Sequence, residues 1–300
     1  MATQTTDVTA APGQGVLVDQ IRVAVPGGGL RHDLRAAGIV WRRELIRFRT
    51  DRLRAVTSLI QPVLFLFVLG TGLGVLAGHS LPPGISFKTF IFPGVLAMSV
   101  LFTAIFSAAS IVWDREFGFL REILVAPVSR ASIVVGKCLG GATIATFQGI
   151  IFLALAGFAD VPYNPVLMLT LIGELLLLSF TLTAFGVMMA ARIKQLQAFM
   201  ALTQMLVMPL FFLSGALYPL TGLPAWLSVL TRLDPITYVV WPMRHAVFSH
   251  LDIPPEFQQH LSPGITWLGW PVPVALSLGI VAVMGLVMMG IAIAEFRRTE

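Results

Sequence analysis

Charged residues are scarce in this sequence, and where they gather between two apolar runs they mark the places where docking or chemistry can happen. The longest such island is Asp114 to Lys137, DREFGFLREILVAPVSRASIVVGK. At helical spacing Phe117, Phe119, Leu120, Ile123 and Leu124 share one arc, and Arg115, Gly118, Arg121 and Glu122 share the other. Glu116 falls in the apolar arc at the expected helix start, where it can complement the N-terminal dipole or pair with Lys137 or Arg130 at a membrane edge. Ala126-Pro127 ends the segment, because the residue before a proline is pushed out of helical space, and Ser129 is placed to cap the next helix. Such an amphipathic helix either rests on lipid headgroups or offers its polar arc to a soluble partner.

The other candidates are isolated. Glu174 is the one acid well inside an apolar stretch. A carboxylate there is costly, so Glu174 reads either as a hydrogen-bonded structural group or as part of a transport route. His245, His250 and His260 lie near Asp252 and Glu256 in sequence, but their spacing fits no metal-ligand pattern, and no metal site is expected. Gly136-Lys137 lacks the surroundings of a phosphate-binding loop, and Ser214 lacks those of a nucleophile elbow. The chain is therefore expected to be no enzyme and to hold no cofactor. Cys138, the single cysteine, reads as a small core residue.

The elements that must position these residues are membrane helices. Apolar residues make up 56% of the chain and charged residues 12%, whereas a soluble domain has roughly 25% charged residues. An all-α integral membrane protein follows. Six spans are expected, near 55–76, 87–113, 133–158, 166–191, 196–213 and 269–294. Before them come a flexible polar tail over residues 1–30 and an amphipathic interfacial helix over 31–54. In that helix Leu34, Trp41, Leu45 and Phe48 form an apolar stripe among Arg35, Arg42, Arg43, Arg47 and Arg49. It suits anionic headgroups, a basic surface for a soluble partner, or both. The net charge of +5 sits beside apolar runs with no interleaved aromatic face, so nucleic acid is not an expected partner. Arginines and lysines concentrate on the side that carries both termini, with Lys88, Arg232 and Arg244 on the other, so both termini are expected in the cytoplasm.

Two motifs resemble those of ABC-2-type transporter permeases. One is R-E-x-G-x-L-x-E-x-x-x-A-P-V-S-R, followed five residues later by G-K, within Arg115 to Lys137. The other is FFLSGALYPLTGLPAWLSVLTRLDPITYVVWPMR, Phe211 to Arg244. The resemblance implies that the first motif is a coupling helix docked on an ATP-binding subunit, with Arg115, Glu116, Gly118, Arg121, Glu122, Pro127, Ser129 and Arg130 at or near the contact. It implies short re-entrant helices in the broken stretch from Tyr218 to Trp267, before the last span. It implies a second permease chain, identical or related, with ATP and magnesium held by the partner ATPases. The pathway would run between the permeases along the first, second and fifth spans, past Gln61, Phe92, Pro93, Phe102, Phe106, Gln204, Phe211, Phe212 and Ser214.

The function expected on this resemblance is export across the plasma (inner) membrane. Few charges along the pathway helices suit a hydrophobic or amphipathic cargo, a drug or antibiotic as in the daunorubicin-resistance branch. A lipid-linked or lipo-oligosaccharide is the alternative cargo. A membrane scaffold or sensor that transports nothing is the alternative of another class.

Overall fold

The structure is a computed structural model and describes residues 29–77, 85–118, 128–220, 222–251, 262, 264–267 and 270–298. The polar tail over 1–28 lies outside these residues, as do Arg121, Glu122 and Pro127 of the charged island, and Asp252, Glu256 and His260.

Among the described residues six helices are long and apolar enough to cross a membrane. A helix needs about 20 residues to cover the roughly 30 Å of hydrocarbon, and these run from 18 to 30 residues. After α1 (Leu30–Thr50), they are α2 (Ala55–Val75), α3 (Phe87–Glu116), α4 (Arg130–Leu153), α5 (Pro165–Arg192) and α6 (Leu196–Leu213). Two short helices follow, α7 (Ala225–Leu233) and α8 (Thr237–Ser249), then a minimal hairpin of β1 (Thr266–Trp267) and β2 (Trp270–Pro271). The last span is α9 (Val274–Arg298). Its start is later than the sequence reading places it, because Thr266 and Trp267 pair with Pro271 and Trp270 before the helix begins.

Local chemistry sets the starts and breaks. Ser86, Ser129 and Asn164 each accept a backbone N–H in the first turn of α3, α4 and α5, leaving fewer unpaired amides at those ends. Ser129 is the cap expected from sequence. α3 is interrupted for one residue at Ala108 and then continues to Glu116. Gly118, at φ +82°, follows its end. Inside α2 Pro62 is followed by a π-turn at Phe65–Leu69.

α3 and α4 are the centre of the bundle, with most of their residues inside the protein, while α2, α6 and α9 are largely on its outside. Leu167, Leu171, Leu175, Leu178 and Leu182 form a fully buried stripe along α5. Phe92 of α3 stacks on Phe152 of α4 at 5.8 Å. Among lipid tails such contacts stabilise by close packing rather than by leaving water. α8 packs on α3, α5 and α9 at the end of the bundle away from α1. There Arg244 is buried, donating to the Gly215 and Ala216 carbonyls at 2.8 and 3.0 Å and covering the Phe90 ring at 4.2 Å.

α1 is not only a surface helix. It lies along α4, where Gly136 and Gly140 remove the side chains that would keep it away. A Cβ on Gly136 would stand 2.6 Å from the Ala37 carbonyl oxygen, and one on Gly140 2.8 Å from the Glu44 Cβ. The face that docks is Ala37, Val40, Trp41 and Glu44, while Leu34 of the expected stripe remains exposed. Trp41 belongs to both faces, and its Nε1 donates to Thr143 of α4 at 3.1 Å.

Candidate functional site

Two features meet at the end of the bundle that carries α1. The first is a set of side chains flanking residues 119–127 of the charged island. The island does not begin a new helix at Asp114; Asp114, Arg115 and Glu116 complete α3. Glu116 therefore stands at a helix end, and its carboxylate accepts the Leu196 amide of α6 at 2.8 Å. The complement to a helix N-terminus that the sequence suggests is made, but to α6. Arg115 donates to the Ala190 and Ile193 carbonyls at 3.1 and 2.8 Å, capping the end of α5, and lies over the Phe296 ring of α9. On the other side of the segment Arg130 donates to the Phe296 and Arg297 carbonyls at 3.0 and 3.2 Å, at the end of α9. A guanidinium beside unpaired carbonyls and a carboxylate beside unpaired amides both oppose the local dipole. Residues 119–127 are thus bounded by side chains bonded to the ends of three spans.

Lys137 does not reach out to the membrane edge. It is buried, and its Nζ donates to Glu44 of α1 at 2.6 Å, to Ser110 at 2.8 Å and to Asp114 at 3.2 Å. Arg43 and Arg47 approach the other Asp114 oxygen at 3.5 and 3.7 Å. A buried ammonium is tolerable only with such partners, and the cluster joins α1, α3 and α4. Arg42 lies on the exposed face of α1.

The second feature is a cavity of about 580 Å³ where α1, α2, α3, α4 and the start of α6 meet. Its apolar wall includes Phe102, Phe106 and Trp113 of α3, with Leu196 and Met200 of α6. Its polar wall is a hydrogen-bonded chain: Thr103 Oγ1 donates to Gln148 Oε1 at 2.6 Å, and Gln148 Nε2 donates to Ser58 Oγ at 2.6 Å. Gln61 lies one turn above Ser58, and Glu44 and Arg47 close the α1 side.

Of the pathway residues read from sequence, the cavity brings together Gln61, Phe102 and Phe106. Phe92 and Pro93 are buried away from it in the core, next to Gly94, which lets the Ala216 backbone pass. Phe211 is buried, in edge contact with Phe65 and Phe212. Ser214 donates to the Phe211 carbonyl and shapes the turn after α6. Phe212 and Gln204 lie on the exposed side of α6. Glu174 is buried elsewhere in α5, its Oε2 without a hydrogen bond among the described residues. Gln148 and Thr103 are the residues that sequence reasoning missed. The signal for Gln148 was present, since an amide inside a span raises the same question as the acid at Glu174.

Comparison with known proteins agrees with this architecture. The ABC-2 type transporter family matches residues 35–248. The chain is 28% identical over 217 residues to the inner membrane transport permease YadH of Escherichia coli, covering 72% of this chain and 84% of that one. It is 29% identical over 220 residues to the transport permease ycf38 of Cyanophora paradoxa, covering 71% and 73%. It is 31% identical over 159 residues to YbhR of Escherichia coli, named as a multidrug ABC transporter permease, covering 52% and 43%. With six membrane-length helices and a family match across most of its length, the chain belongs to the ABC-2 type transporter family and is a multi-pass membrane transport subunit.

Proposed function

We propose that the chain is the permease half of an ATP-driven exporter in the plasma (inner) membrane, paired with a second permease and two ATP-binding subunits that hold ATP and magnesium. Both termini, α1 and residues 114–130 face the cytoplasm in this reading. The observation that carries it is the bonding around the coupling segment. Arg115, Glu116 and Arg130 tie its two flanks to the ends of α5, α6 and α9. A push on residues 119–127 would reach three spans through short, charge-assisted bonds rather than through a loose loop. Gly118 bounds the segment on one side and Ser129 on the other.

Arg121 and Glu122 supply the contact to the ATPase, and Pro127 ends the segment. The interfacial helix, with Trp41, Arg42, Arg43 and Arg47, adds headgroup contact. The cargo is a hydrophobic or amphipathic compound of the drug or antibiotic kind, in keeping with the multidrug name of one relative.

The test is recovery of an ATP-binding subunit with the membrane-extracted chain, wild type beside Glu122→Lys. Recovery with wild type and its loss in a variant that still inserts is the expected result. Equal recovery and export by the variant overturns the coupling assignment. No ATPase with either chain overturns the exporter reading and favours a scaffold or sensor.

A further inference from the structure

α6 meets a charge from another element at each of its ends. At its start the Glu116 carboxylate accepts the Leu196 amide. Just past its last residue, Leu213, the Arg244 guanidinium of α8 donates to the Gly215 and Ala216 carbonyls. An acid at the N-terminus and a cation at the C-terminus both oppose the helix dipole, so α6 is gripped lengthwise. Its 18 residues set the two grips about 27 Å apart. Between them α6 packs mainly along α3. Its buried residues are Phe199, Thr203, Val207 and Phe211, and most of the rest of its surface is exposed.

The grip at the end away from α1 has the form of a latch. Both Arg244 bonds leave one nitrogen, Nη2, and the buried Nε has no hydrogen bond among the described residues. One rotation of the side chain therefore frees both carbonyls. Thr237, two turns earlier on the same face of α8, adds a longer bond of 3.4 Å to the Leu213 carbonyl. The turn held in this way is seated on α3. Gly215 takes φ +70°, which glycine adopts without strain, and a Cβ on Gly94 would stand 2.5 Å from the Ala216 Cα.

This seat closes one end of the bundle while the other end stays hollow. Leu196 and Met200, in the first turns of α6, line the cavity, whereas Phe211, Ser214 and Ala216 are buried at the far end. A stiff helix resting on α3 at Thr203 and Val207 moves its two ends in opposite directions.

We propose that Arg244 is a positioning residue for transport: it latches the turn after α6 onto α3, and its release lets α6 rock on α3, so that the far end opens as the start of α6 closes on the cavity. The inference rests on the transport reading and adds to it the helix that moves and the bond that holds it.

The test uses the full chain, with whatever subunits accompany it, in lipid nanodiscs, where both faces meet the reagent. The reporters are Ser214→Cys, in the latched turn, and Ser107→Cys, on the cavity wall, where the hydroxyl bonds the Ala104 carbonyl of its own helix. The native Cys138 is buried and reports intact folding. The probe is a sulfonated, water-soluble maleimide, and labelling is timed at each cysteine by peptide mass spectrometry. In Arg244→Gln the Ser214→Cys site is expected to label about tenfold faster and the Ser107→Cys site severalfold slower. Arg244→Lys keeps the charge on a shorter, more strongly hydrated head and is expected to give smaller shifts of the same signs. That variant decides the matter where labelling of Cys138 shows that Arg244→Gln has unfolded. A Ser107→Cys site that does not slow, or a Ser214→Cys site that does not speed up, overturns the inference. A side chain that only packs would leave the rate at the cavity unchanged or raise it. Recovery of an ATP-binding subunit in the same preparations tests the exporter reading separately. Opposite shifts with no ATPase sink that reading alone, and an ATPase without opposite shifts sinks this inference alone.

Discussion

The Glu116 carboxylate accepts the Leu196 amide at 2.8 Å across 80 residues of sequence, so the last residue of α3 caps the first turn of α6. The outer face of α6 is largely exposed, while its inner face buries Phe199 in the first turn and Val207 and Phe211 beyond it. The cap therefore acts beside the packing of Phe199 in fixing the position of that turn. Replacing Glu116 with Ala removes both the acceptor and the favourable dipole interaction, at a cost of about 1 kcal/mol. Thermal unfolding in detergent is expected to fall only slightly while, on the proposed function, ATP-driven export falls severalfold. Export at the wild-type rate would show that α6 does not follow movement of residues 119–127.

Arg115 and Arg130 predict a separable effect on the ends of α5 and α9. Arg115→Ala leaves the Ala190 and Ile193 carbonyls without their guanidinium partner, and Arg130→Ala does the same at Phe296 and Arg297. Hydrogen–deuterium exchange in nanodiscs is expected to rise near residues 190–196 in the first variant and near 294–298 in the second, each leaving the other end unchanged. A rise at both ends in both variants would mean that the bundle end loosens as one unit.

The Lys137 cluster predicts a large, recoverable loss of stability. In Lys137→Met the carboxylate of Glu44 keeps its burial and loses its 2.6 Å partner, and Asp114 retains only the more distant Arg43 and Arg47. Removing one member of a buried pair costs about 3–5 kcal/mol. Adding Glu44→Gln removes the uncompensated charge, and the double variant is expected to regain much of the loss in a melting experiment. A single variant as stable as wild type would show that water reaches the cluster.

Gly136 predicts a steric effect that no charge change mimics. A methyl group there meets the Ala37 carbonyl and Val40, so Gly136→Ala must push α1 off α4. Overpacking of this kind costs about 1–3 kcal/mol. Limited proteolysis within Leu30–Thr50 is expected to accelerate in membranes, while Gly38→Ala, which meets nothing, leaves it unchanged. Equal cleavage of all three chains would place the strength of the α1 contact in the Lys137 cluster instead.

Much of the architecture was legible in the residues alone. The six spans follow from runs of apolar residues long enough to cross hydrocarbon, and the cap of α4 from Ser129 after Pro127, because these are local properties of the chain. Gln61, Phe102 and Phe106 could be named as candidates because the resemblance points to the first, second and fifth spans and these are polar or aromatic positions inside them. Tertiary packing decided the rest. Whether Lys137 reaches the headgroups or turns inward depends on Glu44, 93 residues away, and whether Glu116 starts a helix or ends one depends on how far α3 continues past Trp113. Gln148 became part of a site only when Ser58 and Thr103 arrived from two other helices. A single helix can show which of its residues are polar, but hydrogen-bond partners and cavity walls come from the arrangement of several helices, which no local pattern encodes.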